Sequence, residues 1–242
     1  LLLGVAFSAG PGVGQESPPT ADARIYDIVS SASAERVEAD IRTLANFGTR
    51  NTLSDTLSAT RGIGAARRWI KSEFDRISTA CGGCLEVSYE GSLVEAQGRI
   101  PEDTWVIYAA AIQRGTEHPD RYVIMSGDID SRASDGSDGV SDAPGANDNA
   151  SGMAGVLESA RLLSQHEFGS SIVYVGLSGE EQGLWGGRYM AGEERAADWD
   201  SVAVLNSDMI GNIEGVDGVV DNSTFRVFSE PTPVTETERA RT

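Results

Sequence analysis

The strongest constraint on this chain is the placement of its acidic motifs. Four short segments carry them: Ser126-Gly-Asp-Ile-Asp-Ser131, Pro144-Gly-Ala-Asn-Asp-Asn-Ala-Ser-Gly152, Ser178-Gly-Glu-Glu-Gln-Gly183 and Leu205-Asn-Ser-Asp-Met-Ile-Gly211. Each stands where the apolar pattern has a strand stopping or a helix starting. Apolar runs over 121–126, 171–177 and 201–206 read as strands, the last two as continuous and buried. Helical periodicity over 151–165 and 182–195 separates them. Strand, helix, strand, helix, strand predicts an α/β fold with a largely parallel centre. Ligands bind outside the carboxyl ends of the strands in such a sheet. Asp128, the Glu180/Glu181 pair and Asp208 lie just past predicted strands, and Asp148 lies just before a helix. One rim of one sheet therefore collects them all.

The first half supplies the core. Helices are predicted over 34–46, with Val37, Ile41 and Leu44 on one face and Gly48 closing it, and over 61–79. The second has an apolar stripe of Ile63, Ala66, Ile70, Phe74 and Ile77. From Leu85 the period changes to two, and 104–112 is a second strand. The link 113–120 reads as a hairpin or short loop, and 224–228 as a last short strand. Residues 127–149 have no apolar period and form a long loop, a common home for function.

A formal charge of −18 argues against nucleic acid or an anionic membrane as partner, because phosphate binding needs clustered Lys and Arg. The opening Leu1-Leu-Leu-Gly-Val-Ala-Phe-Ser-Ala9 reads as the tail of a secretory signal, too short for stable membrane insertion. We divide the chain into a remnant of signal peptide and linker over 1–22 and a catalytic domain over 23–242. Residues 10–30, rich in Gly, Pro, Ser and Ala, read as a leader or linker, and both ends read as cut. Export fits Cys81-Gly-Gly-Cys84 as a small-loop disulfide, since a zinc ribbon needs a second pair. His118 and His166 fall in no motif and read as surface histidines.

Clustered carboxylates repel one another and hold their protons unless a cation neutralises them. The motifs thus point to a metal site with more than one metal. Adjacent Glu180 and Glu181 diverge, so one can bind metal while the other serves as base to a water. Asp148 is placed to bridge two cations roughly 3.5–4 Å apart. Asp130, two residues past Asp128, reads as a partner that orients a ligand. A calcium loop beginning at Asp128 fails, because Arg132 and Ala133 stand at its fifth and sixth positions.

Together the motifs resemble the M28 family of zinc-dependent exopeptidases, over about residues 35–215. The resemblance implies a three-layer α/β sandwich with a central mixed, largely parallel sheet, of the zinc exopeptidase or phosphorylase/hydrolase type. It implies two zinc ions, Glu180 as general base acting on a two-zinc-activated water, Asp148 as bridge, Glu181 on the first metal and Asp208 on the second. Asp130 belongs with the catalytic residues. Asp128 stands where the family usually has a histidine ligand, making the second set all carboxylate (Asp128, Asp148, Asp208) and open to manganese or cobalt. The family's last histidine has no counterpart here, so the chain is expected to hold at most one metal tightly. The expected activity is an exported aminopeptidase acting on peptides. Rivals are a carboxypeptidase or dipeptidase of the same family, a non-catalytic interaction domain with a degraded site, and a calcium module. Oligomeric state and side-chain specificity are left open.

Overall fold

A computed structural model describes residues 23–224 and 226–229. The signal-like segment 1–22 and the polar end 235–242 lie outside the described residues. Residues 1–32 and 33–242 form separate compact units. The described part of the first is helix α1 (Ala23–Ser30), within the stretch read as linker. Ile25, Ile28 and Val29 recur there at helical spacing, a signal that the surrounding Gly, Pro and Ser obscured.

The second unit runs α2 (Ala34–Ala45), α3 (Gly62–Ala80), β1 (Leu85–Val94), β2 (Thr104–Gln113), β3 (His118–Asp128), α4 (Gly152–Leu163), β4 (Ser170–Leu177), α5 (Trp185–Ala196) and β5 (Asp200–Asn206). The strands form one sheet in the order β1-β2-β4-β3-β5. β1 with β2 and β2 with β4 are antiparallel, while β3 is parallel to both β4 and β5. The sheet is thus mixed, as expected. The link after β2 is no hairpin, because β4 lies between β2 and β3. Chain proximity favours pairing neighbours, but the apolar β4, buried along most of its length, takes the centre.

Leu44 of α2, the predicted stripe of α3, and Met153, Val156, Leu157 and Ala160 of α4 pack on one face, against Leu85, Ala109, Ala111, Ile172 and Tyr174. Met190 of α5 packs on the other, against Tyr108, Ala110, Tyr122, Ile124, Val173 and Val175. These are the three layers of an α/β sandwich. Cys81 and Cys84 are joined in the turn between α3 and β1. Two further expectations are corrected. Among the described residues β5 pairs with β3 alone and is not buried, with Val202, Val204 and Leu205 43–61% exposed. A continuous apolar run marks a strand without saying whether anything covers it. Among the described residues of 224–228 no strand forms. Among the described residues no helix is long and apolar enough to cross a membrane.

The helical layer is tied by buried ions. Arg161 of α4 reaches Asp40 of α2 at 2.5 Å and Glu73 of α3 at 2.8 Å. Glu158, one turn earlier, is paired with Arg36. Burial would raise Glu158 and Glu73, but bonds from Arg36, Arg76 and Arg161 bring both below the ordinary glutamate range. Burial dominates at Asp40 and raises it. The two glutamates therefore contribute stability above their unfolded pKa of about 4.3, and lose it as pH falls through their lower folded values. Asp40 works in the opposite sense. Replacing Arg161 with Ala strands Asp40 and is expected to cost about 3 kcal/mol at pH 7. Urea midpoints for the native chain and the variant from pH 7 to 3 would check this, the gap closing at the acid end.

Candidate metal centre

The parallel register sets the rim. Asp128 ends β3 opposite Leu177, the last residue of β4. Ser126 is level with Asn206, the last of β5, and its Oγ donates to Asn206 Oδ1 at 2.7 Å. Glu180 and Glu181 follow β4 and Asp208 follows β5, so all emerge on one edge. Asp148 reaches the same edge on a short turn, Ala146–Ser151, that is kinked at Asp148 and Asn149, contains a cis peptide between them and leads into α4. The Glu pair lies in an irregular turn, and α5 starts only at Trp185, later than periodicity indicated.

Polar groups beneath the rim hold these loops. Asp130 is 1% exposed. Its Oδ1 accepts from the Glu180 N–H at 3.3 Å, and its Oδ2 from the Glu181 N–H and Thr52 Oγ at 3.2 Å each. Thr52 Oγ in turn accepts from the Gly179 N–H at 3.0 Å. Asp130 thus acts on the backbone of the Glu pair. Asn149 Nδ2 donates to Ser207 O at 2.9 Å and to Asp128 Oδ2 at 3.4 Å, while its Oδ1 accepts from Gly152 N–H. Ser151 Oγ and Asn147 Oδ1 accept from Ile210 and Gly211 N–H. A Cβ on Gly152 would lie 2.0 Å from Ser207 O, so only glycine lets the Asp208 loop sit this close.

Arg50, fully buried, ties the loops together. Its guanidinium donates to Ile129 O at 2.8 Å, Leu44 O at 3.1 Å, Pro144 O at 2.6 Å and Gly145 O at 2.9 Å. Its own N–H donates to Ser131 Oγ. Burial lowers its pKa to about 10, although Asp130 and Asp148 act to raise it. Arg50 and Thr52 are absent from the motifs that the sequence singles out. The available signal was the irregular polar run 48–61 between two helices, longer than most helix connections.

The rim carries unbalanced negative charge. Burial, then Asp130, Glu180 and Asp208, push Asp128 up to about 8. Burial also raises Asp130, against the three donors that hold it. Glu180, Glu181 and Asp208 rise through burial first and then their acidic neighbours: Glu181, Asp208 and Asp148 for Glu180, and Asp148 for the other two. Such hard oxygen donors suit a divalent cation in chemistry and charge. The structure does not close a coordination shell: among the described residues no three His, Cys, Asp or Glu are grouped to grip one ion. Glu181 is instead engaged by Arg132, at 2.5 Å. His118 is exposed and His166 half-buried, each away from these loops.

Residues 108–226 match the model of peptidase family M28. A "Probable zinc metalloprotease" of Pyrenophora teres f. teres is 39% identical over 225 residues, 93% of this chain and 47% of its own length. Another, from Leptosphaeria maculans, is 40% identical over 89% of this chain and 50% of its own. LapB from Legionella pneumophila shares the fold, with a TM-score of 0.62 at 19% identity, over 82% of this chain and 49% of LapB. A mixed sheet with an acidic rim defines the class as α/β sandwich with a candidate metal site. The chain belongs to peptidase family M28. It spans about half the length of the curated relatives it matches.

The Arg50 contacts predict the loops' sensitivity. Arg50→Met keeps the length of the side chain and strands four carbonyls. It is expected to destabilise the fold by about 3 kcal/mol or more, with Arg50→Lys between it and the native chain. Denaturant unfolding followed by tryptophan fluorescence measures both.

Proposed function

We propose that this chain is the site-bearing part of an exported zinc-dependent exopeptidase, an aminopeptidase that removes N-terminal residues from peptides. The observation that supports this best is the setting of Glu180. Its N–H is held by buried Asp130, while its half-buried carboxylate stands among Glu181, Asp208 and Asp148 with its proton affinity raised. A general base works best when its pKa is lifted toward the working pH and its position is held.

Asp128, Asp148, Glu181 and Asp208 would hold zinc, with Asp148 shared between two ions. The all-carboxylate set Asp128, Asp148 and Asp208 also suits manganese or cobalt. When bound, the metal supplies Lewis-acid polarisation of the scissile carbonyl. Glu180 takes a proton from the attacking water and passes it to the departing amine. Asp130 keeps Glu180 in place through the backbone. The negative rim attracts a protonated N-terminus and repels a C-terminal carboxylate, which favours the aminopeptidase reading over a carboxypeptidase. The Cys81–Cys84 disulfide supports export, since such bonds persist in oxidising compartments.

Glu180→Gln is expected to lower turnover of peptides with a free N-terminus by about 10²–10⁴-fold while leaving the zinc content unchanged. Chelation should abolish the native activity and added zinc restore it. Undiminished activity in the variant would remove Glu180 from its role. Cleavage of N-acetylated but not C-amidated peptides would assign a carboxypeptidase instead.

A further inference from the structure

Among the described residues, one ion pair alone is made by the six acidic residues of the rim: Arg132 Nε to Glu181 Oε2, at 2.5 Å. The two partners are unequally held. The Glu181 side chain is 9% exposed. Its backbone is fixed on both sides, its N–H donating to Asp130 and its carbonyl accepting from Arg99 at 2.7 Å. The Arg132 side chain is 39% exposed, and its other bond is a 3.3 Å contact with Ser134 O in the same loop. The Glu181 carboxylate therefore has a fixed base and a partner that can swing into water.

We infer that Arg132 is a built-in counter-cation that competes with the metal for Glu181 and sets how tightly the metal is held. The inference rests on the reading of Glu181 as a metal ligand. The lone pair of Glu181 Oε2 that accepts the guanidinium is not available to an ion at the same time. A guanidinium that stays nearby also repels a dication through partly screened space. An ion that takes the same lone pair of Oε2 displaces Arg132, and the positive charge nearby opposes an ion on either oxygen. On metal loss the guanidinium returns and keeps Glu181 from adding to the surplus charge of the rim. Arg99 adds to the positive field at Glu181 but bonds its carbonyl and not its carboxylate, so it does not occupy a ligand oxygen.

The test is the zinc dissociation constant, from competition with a chromophoric chelator, for the native chain, Arg132→Gln, Arg132→Lys, Glu181→Gln and the Arg132→Gln/Glu181→Gln pair. Arg132→Gln should bind zinc about tenfold more tightly, a gain that shrinks as salt screens the charge. Arg132→Lys, which keeps the charge, should stay near the native value. Glu181→Gln should weaken binding and erase the gain in the double variant. Unchanged or weaker binding by Arg132→Gln, in protein whose unfolding midpoint without zinc is native, would overturn the inference. Native affinity in Glu181→Gln would instead overturn the reading of Glu181 as a ligand, and the inference with it.

Discussion

A guanidinium shut away from water must find an acceptor for nearly every donor, and Arg50 finds four of them in backbone carbonyls. Those carbonyls belong to the end of α2, the loop after β3 and the turn that carries Asp148. None is a carboxylate, so Arg50 fixes the loops without bonding any acid of the site. Two residues on, Thr52 bonds Asp130 and the Gly179 N–H, bringing the turn after β4 into the same frame. A polar strap from between two helices thus sets the spacing of three acidic loops that are far apart in the chain.

The sheet gives this strap something to span. β3 lies between β4 and β5, all parallel, so the chain must cross the sheet on opposite faces to reach them. α4 packs on one face and α5 on the other. The ends of the three strands open a cleft at the point where the crossings diverge. Acidic residues gathered there raise one another's proton affinity, and burial adds to the effect. The charge surplus is the physical link between the fold and the metal-dependent reaction proposed for it.

Much of this was legible before any coordinates. The α3 stripe, the change to period two at Leu85 and the strand ends at Leu177 and Asn206 follow from apolar spacing, which local sequence states directly, while β3 runs two residues past the expected end at Ser126 to Asp128. The sequence places Asp130 as a partner that orients a ligand, and in the fold its oxygens accept from the backbone N–H groups of Glu180 and Glu181. Arg50 was not legible, because an arginine in a polar run normally reaches water, and burial depends on loops from elsewhere in the chain. Arg132 was noticed only as a residue that breaks a calcium loop. Its pairing with Glu181 joins positions far apart in sequence.

By itself the sequence determined the alternation of strands and helices and the presence of a carboxylate at each turn on one rim. These are local properties, decided by side-chain period and by which residues follow an apolar run. Only the tertiary structure decided that β4 enters between β2 and β3, that β5 lies at the edge and exposed among the described residues, and that Arg132 pairs with Glu181. Those outcomes depend on competition for the centre of the sheet and on charges meeting across loops, which no stretch of the chain contains alone.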